Sequence, residues 1–302
     1  MSPRRTGRPP ERARPSEGGA AGAGVLVLVA TPIGNLGDLS RRAVEVLETA
    51  DAVLCEDTRR TRALLSAAGV PGRGRLISLH EHNEAQRSGD VVARLAAGQT
   101  VAVVSDAGTP AVSDPGARVV AAAVAAGYVV TVVPGPSAAL AALVVSGLPT
   151  DRFCVEGFVA RRGAERTRRL AALAAEPRTT VLFEAPGRLA ATLADLARVC
   201  GEGRPVAVAR ELTKVHEEVW RGTLGEAAAE FSGRDVRGEV VVVLGGAAEA
   251  PPASARDVSE AVAHQLAAGV RPAEAAANVA AALGVPRRRA YDAALALRPD
   301  RD

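Results

Sequence analysis

A chain that carries 36 arginines uses lysine once, at Lys214. Arginine and lysine differ in shape, hydration and readiness to lose a proton, so a position that keeps the compact ammonium marks a place where chemistry is expected. Other scarce residues cluster too. Two of the four histidines, His80 and His82, flank Glu81 and precede Asn83; Ile33 and Asn35 stand together; and His216 follows Lys214 by two residues. Histidine and glutamate move protons, and an ammonium holds or stabilises anions. Each group also has an ordinary reading, since a loop histidine is often structural and Glu211 can simply pair with Arg210 or Lys214.

Three loops look able to hold a small molecule. Thr31-Pro32-Ile33-Gly34-Asn35-Leu36-Gly37-Asp38 leads from a β-branched run into a helix whose N-terminus can face an anion or a carboxylate. It lacks the spacing of a dinucleotide fingerprint and the ending of a phosphate-binding P-loop. Ser105 to Gly116 holds two Asp, two Gly and two Pro in twelve residues, too long for an ordinary strand-to-helix turn. Pro134-Gly135-Pro136-Ser137-Ala138 is a stiff turn with a hydroxyl at a helix start. Taken alone, Ser137 reads as a helix cap and Asp106 as a turn residue.

The elements that position these loops follow from alternating patterns. Strands are expected at Val25–Ala30, Ala52–Cys55, Leu76–Leu79, Val101–Val104 and Val129–Val133, as the continuous apolar runs of a buried parallel sheet. Helices fill the intervals, near 39–50, 58–68, 84–97, 115–126 and 137–145. This is a βα-repeating α/β domain over residues 25–147, whose ligands should sit at the carboxyl ends of its strands. After the breaker cluster Gly147 to Thr150 the pattern changes. Phe153–Gly157, Thr179–Phe183, Val206–Ala209, Val215–Arg221 and Val240–Leu244 read as strands, with helices near 163–175, 187–199 and 223–231. Strands outnumber helices there, so residues 148–246 should form a second α/β domain around a mixed sheet. A Pro/Ala linker, Ala247 to Ala255, precedes three short helices, Val258–Leu266, Pro272–Leu283 and Pro286–Leu297. They make a helix-turn-helix-like domain over residues 256–299.

Composition narrows the function classes. With 302 residues, 48% hydrophobic and 24% charged, the chain is globular for most of its length. Its longest apolar run, Val119 to Val133, is shorter than the ~20 residues of a membrane-spanning helix, so no membrane association is expected. Residues 1–24 read as a disordered basic tail with five arginines against two glutamates; they carry the entire formal net charge of +3, which leaves the rest neutral. Any polyanion must therefore meet local patches: Arg161, Arg162, Arg166, Arg168 and Arg169, and Arg287, Arg288 and Arg289. Cys55, Cys154 and Cys200 are odd in number and lack CxxC spacing, so three buried thiols in a reducing cytoplasm are expected, with neither disulfides nor zinc.

The strings ATPIGNLGDLS, CEDTRRT, HEHNE, SDAGTPAVSDPG, PGPSA, RELTKVHEE and RGTL occur in this order over residues 25–245. Together they resemble the tetrapyrrole methylase superfamily, the class III S-adenosylmethionine-dependent methyltransferases. Within it they are most similar to the branch that methylates the ribose 2′-oxygen of cytidine 1402, in conventional numbering, of 16S rRNA. The resemblance implies a two-domain fold with S-adenosylmethionine between the domains and a small C-terminal helical domain. It implies that Asp106, Gly108, Thr109 and Pro110 border the ribose and methionine of that cofactor, that Ser137 and Ala138 border its adenosine, and that Pro32, Gly34 and Leu36 close the cleft. Phe183, Glu184, Arg210 and Glu239 would line the opposite wall. The family usually has histidine where Gly187 stands, while Arg188 remains.

For such an in-line transfer the candidate catalytic residues are His80, Glu81 and His82, then Glu211 and Lys214, with Asp57 behind them, and no metal is required. The resemblance also implies the small ribosomal subunit as substrate and a homodimer. Alternatives are a different acceptor, a tetrapyrrole or a translation factor, and a ligand-sensing helix-turn-helix regulator supported only by Arg287 to Arg289.

Overall fold

The computed structural model describes residues 23–71, 74–248 and 253–297. Of the tail expected over residues 1–24, residues 1–22 lie outside the described residues, as do four residues of the expected linker, 249–252. Two compact units divide at Ala247 and Ala248. The first unit contains two five-stranded sheets.

The first sheet is built from β1 (Val25–Val29), β2 (Ala52–Cys55), β3 (Leu76–Ser78), β4 (Thr100–Val103) and β5 (Val129–Val133), in the order β3-β2-β4-β1-β5. All its pairs are parallel, as the unbroken apolar runs predict. Alternate residues feed two cores. Val27, Val29, Val53, Cys55 and Ala102 pack with α1 (Arg41–Thr49) and α2 (Thr58–Ala67) on one face. Leu26, Ala52, Leu54, Val101 and Val103 pack with α3 (Glu84–Ala96) and α4 (Ala117–Ala125) on the other. The chain moves one way from β1 through β3 and back the other way to β5, so a crevice opens beyond the carboxyl ends of β1 and β4.

The second sheet contains β6 (Phe153–Phe158), β7 (Thr179–Glu184), β8 (Pro205–Arg210), β9 (Glu218–Thr223) and β10 (Val240–Leu244), in the order β6-β7-β10-β8-β9. Only β6 and β7 pair in parallel, which makes the sheet mixed as expected. The helices α6 (Gly163–Ala175), α7 (Leu189–Cys200) and α8 (Leu224–Glu230) cover one face. The other face is covered by α5 (Ala138–Ser146), whose Ala139, Ala142 and Leu143 pack on Val181, Ala207 and Val241. One helix from the first half thus seals the second sheet and ties the two halves through a shared core.

Two expectations need correction. The strand placed at Val215–Arg221 begins at Glu218, because Glu211 and Thr213 adopt left-handed backbone (φ +52° and +67°) and turn the chain, leaving Val215 95% exposed. Of the three cysteines, Cys55 is buried, whereas Cys154 and Cys200 are half-buried.

The second unit, taken by itself, packs α9 (Ala255–Ala267), α10 (Pro272–Leu283) and α11 (Arg287–Ala296) around Val258, Val262, Ala276, Val279, Ala290 and Ala294. Gly284 takes left-handed backbone at the end of α10, and Pro286 precedes α11, which makes the tight turn the sequence predicted. Among the described residues no helix is long and apolar enough to cross a membrane.

One buried carboxylate fixes the end of the long loop. Glu84 is 7% exposed, and its Oε1 accepts hydrogen bonds from the backbone amides of Gly116 (2.9 Å) and Arg118 (2.8 Å) at the start of α4. The last residue of the HEHNE string is therefore a cap for another helix. Glu84→Ala should lower the free energy of unfolding by about 2 kcal/mol in urea titrations, because two buried amides lose a charged acceptor. A change below ~0.5 kcal/mol would show that this helix end does not depend on the carboxylate.

Candidate active site

The loops that follow β1 and β4 meet at their roots. Thr31 and Gly108 exchange two backbone hydrogen bonds, of 2.9 and 3.1 Å, and the Thr31 hydroxyl donates to the Ser105 carbonyl at 3.2 Å. Gly108 has a φ of +81°, left-handed backbone that any side chain there would strain. Thr109 Oγ1 donates to the Pro136 carbonyl at 3.1 Å and so joins the third loop. Ala111 and Ser113, neither of them glycine, are held at φ +67° and +61°. Strain of this kind persists where surrounding contacts over-determine it, commonly at functional sites.

From the second sheet, the turn after β8 brings Glu211 and Lys214 to the cleft. Lys214 Nζ donates to Glu211 Oε1 at 2.8 Å and to Glu239 Oε2 at 3.0 Å, while the same Glu211 oxygen accepts the Glu239 amide at 2.9 Å. Two glycines permit this packing. A side chain on Gly34 would overlap the Lys214 stem, and one on Gly238 would overlap the Glu211 carboxylate. The loop after β1 therefore lies directly against the lysine. Partial burial works against the ammonium charge, but Glu211 and Glu239 outweigh it and raise the Lys214 pKa; in return the Lys214 hydrogen bond lowers that of Glu211. Lys214 thus stays a cation at neutral pH, and Glu211 is tied up and weakly basic, which argues against the proton-accepting role considered for it.

A cavity of about 370 Å³ lies between the sheets, a size that suits a small organic ligand. Gly108, Thr109, Ser137, Ala138, Phe183 and Glu184 line it, with Glu239 at its edge. Pro32, Gly34, Leu36, Asp106 and Lys214 line a neighbouring chamber of about 510 Å³, which shares Ile33, Ala107 and Glu239 with the cavity. His80, Glu81 and His82 line another, of about 520 Å³, which shares Ser113 and Asp114 with the cavity. Most of the expected cofactor residues thus converge on one cleft, and the two expected catalytic groups lie in different chambers. Pro110 is buried within the loop and lines none of these chambers, and Arg210 points elsewhere, to Glu218 at 3.1 Å. Asp57 caps α2 through the Arg59 amide at 2.7 Å. Gly187 is exposed in a short turn, while Arg188 reaches Glu184 at 3.1 Å.

The cleft also holds groups that the sequence reading passed over. Arg60 pairs with Asp106 at 3.0 Å and lines the Lys214 chamber. Phe158 stacks near Phe183, with ring centroids 5.6 Å apart, and forms part of the cavity wall. Asp114 lines both the cavity and the histidine chamber, and Glu56 lines the latter. Burial, reinforced by the Glu56 and Asp106 carboxylates and opposed by the Ser105 hydroxyl, pushes the Asp114 pKa up to about 6. Arg60 and Asp114 lay inside strings already singled out, but nothing in the spacing distinguished them from turn residues. Among the described residues no group of three or more His, Cys, Asp or Glu side chains is arranged to hold a metal ion.

The family model of the Tetrapyrrole (Corrin/Porphyrin) Methylases matches residues 25–228. The chain belongs to the tetrapyrrole methylase family. It is 50% identical to the ribosomal RNA small subunit methyltransferase I of Mycobacterium tuberculosis (strain CDC 1551 / Oshkosh), over 90% of this chain and 95% of that protein. To the protein of the same name from Synechocystis sp. (strain ATCC 27184 / PCC 6803 / Kazusa) it is 45% identical, over 92% and 99% of the two chains. Among solved structures, uroporphyrin-III-C-methyltransferase from Thermus thermophilus superposes with a TM-score of 0.51 at 25% identity, covering 73% of this chain and 94% of that one. The two-sheet architecture is thus that of the tetrapyrrole methylases.

Two outcomes follow from this geometry. Lys214→Arg should lower turnover about tenfold or more while leaving the fold intact, since the longer, planar guanidinium cannot pass Gly34 and reach both carboxylates. Unchanged turnover would show that the site accepts a guanidinium. Asp114 holds its proton more tightly folded than unfolded, so its contribution to stability is fully present below the ordinary carboxylate range and is lost as pH rises through about 6. Asp114→Asn should therefore raise the melting temperature at pH 7.5, by an amount equivalent to roughly 1 kcal/mol after solvent screening, and have little effect near pH 4. An equal shift at both pH values would refute that account.

Proposed function

We propose that this protein is an S-adenosylmethionine-dependent methyltransferase that methylates the ribose 2′-oxygen of cytidine 1402 in 16S rRNA. The observation that carries the reading is the cleft: the strained Ser105 to Gly116 loop and the PGPSA turn face the second sheet across a cavity of ligand size. Membership of the family and near-full-length relatives named as small-subunit rRNA methyltransferases support it.

The residues present fit the cofactor. Gly108 lines the cavity with backbone alone, and apolar walls from Ala138 and Phe183 suit a nucleoside. When bound, S-adenosylmethionine supplies a methyl group on a positively charged sulfur. The Asp106 to Pro110 segment would border its ribose and methionine, and Ser137 and Ala138 its adenosine. Asp106 is itself held by the Asp57 amide at 3.0 Å and by Arg60, so its carboxylate is oriented before any ligand arrives. Lys214 and Arg60, in the chamber beside the cavity, are each held by carboxylates and tie together the loops that border the cofactor.

The RNA is read through local arginine patches. Arg161, Arg162 and Arg168 are exposed, whereas Arg166 is bonded to Asp195 at 2.8 Å and Arg169 to Glu156 at 2.7 Å, so the first three are the better phosphate contacts. Arg287, Arg288 and Arg289 are exposed at the start of α11. We read the chain as a basic tail over 1–24, α/β domains over 25–147 and 148–246, and a helical RNA-contacting domain over 256–299. A second copy of the chain is proposed as partner, supported by exposed Leu140 and Val144 on α5 and Val132 on edge strand β5. The proposed location is the cytoplasm, where the small subunit is assembled.

The deciding experiment is transfer of labelled methyl from S-adenosylmethionine to small subunits from cells lacking the enzyme, followed by nucleoside analysis. The expected result is one 2′-O-methyl group at cytidine 1402; label elsewhere, or none, would overturn the assignment. Replacing Arg287, Arg288 and Arg289 by alanine should weaken RNA binding and flatten its salt dependence by roughly two phosphate contacts, with cofactor affinity unchanged. An unaltered salt slope would remove these arginines from the interface.

A further inference from the structure

This inference deepens the methyl-transfer reading and rests on it. We propose that Asp114 is the general base that takes the proton of the acceptor hydroxyl. Methyl transfer must occur where the cofactor cavity opens towards the acceptor. Ser113 and Asp114 are the two residues that line both the cavity and the chamber walled by Glu56, His80, Glu81 and His82. A carboxylate in that shared wall can reach a hydroxyl poised over the cavity.

The usual role of an aspartate just before a helix is to cap it. Here that role is filled from elsewhere, because Glu84 already binds the Gly116 and Arg118 amides. The segment that presents Asp114 is held in place by left-handed Ala111 and Ser113, a cost that an ordinary turn would not carry.

The other acidic groups that line the cavity and the Lys214 chamber are engaged, and Glu56 and Glu81 line only the histidine chamber. Glu184 accepts from Thr192 at 2.6 Å and from the Ala185 amide at 2.8 Å and pairs with Arg188; Glu239 pairs with Lys214; Asp106 pairs with Arg60. His80 and His82 are exposed and line only the outer chamber. The charges that act on Asp114 are carboxylates, Glu56 from the end of β2 and Asp106 from the end of β4. Facing the same space are His80, Glu81, His82 and Glu84 from the loop after β3, and Glu184 and Glu239 from across the cleft. With its pKa pushed up to about 6 by burial, Asp114 is ionised at neutral pH and more basic than a solvated carboxylate.

The step balances. The Asp114 carboxylate accepts the proton of the 2′-hydroxyl, and the oxygen's electron pair forms the bond to the methyl carbon. The electron pair of the carbon–sulfur bond leaves with the sulfur, which becomes the neutral thioether of S-adenosylhomocysteine. Asp114 then releases its proton to solvent and is ready for the next turnover.

The test uses the full-length protein with small subunits lacking the modification, measuring single-turnover rates from pH 5 to 9 and S-adenosylhomocysteine affinity by calorimetry. The unsubstituted enzyme should gain rate with pH along a limb centred near 6. Asp114→Asn should lose about 100-fold or more and lose that limb, with ligand affinity within about threefold. Asp114→Glu should keep part of the activity and shift the limb, which a purely structural role would not produce. An Asn variant within about tenfold of the parent and with the same limb, or a rate loss matched by lost ligand affinity in both variants, overturns the proposal. No methylation by the unsubstituted enzyme overturns the functional reading itself, and this inference with it.

Discussion

Two backbone hydrogen bonds between Thr31 and Gly108 join the loops that leave β1 and β4, and the geometry of the cleft depends on that junction. The strand order places these two carboxyl ends side by side, at the point where the chain's direction across the sheet reverses. Helices on opposite faces draw the two loops apart, and the short bridge, with the Thr31 hydroxyl bond to Ser105, keeps them together at the base. Ordering a loop as long as Ser105 to Gly116 costs roughly 1–2 kcal/mol per residue in backbone entropy. The junction, the Ser105 and Thr109 side-chain bonds and the Glu84 cap supply the fixed points that offset this cost. Without them the loop would have no reason to hold Ala111 and Ser113 in left-handed backbone.

The second sheet acts as a wall, and its position is set by α5. That helix leaves the PGPSA turn, so its first residues line the cavity while its inner face is buried on the second sheet. Any shift of the second sheet would move Ser137 and Ala138 with it. The same coupling operates at the far side, where Gly34 lies against Lys214 and Gly238 against Glu211. Close approach at those glycines lets one ammonium bind two carboxylates that come from different turns.

Charge pairing differs from one part of the cleft to another. Lys214 and Arg60 are each held by carboxylates, Lys214 by Glu211 and Glu239 and Arg60 by Asp106, whereas Glu56, Glu81 and Asp114 line a chamber together. This explains why carboxylates of similar sequence context behave differently. Glu211 sits beside a cation and loses basicity, whereas Asp114 sits beside carboxylates and gains it.

Much of this was written in local pattern. Apolar runs of four to six residues predicted the parallel sheet, because burial on both faces leaves no polar alternation, and the excess of strands over helices after residue 150 predicted the change to mixed pairing. The scarcity of lysine singled out Lys214, and the loops after β1, β4 and β5 were legible as ligand loops from their Gly, Pro and Asp content. The start of β9 was misplaced because Val215 looks like a strand residue, and only the left-handed turn at Glu211 and Thr213 takes it out of the sheet. Sequence by itself therefore determined the elements, their order and the loops that matter, since these follow from hydrophobic period and turn chemistry. The tertiary structure alone decided which carboxylate is capped, which is paired and which is left among its own kind. Glu84, Glu211 and Asp114 differ not in type but in what distant parts of the chain bring against them.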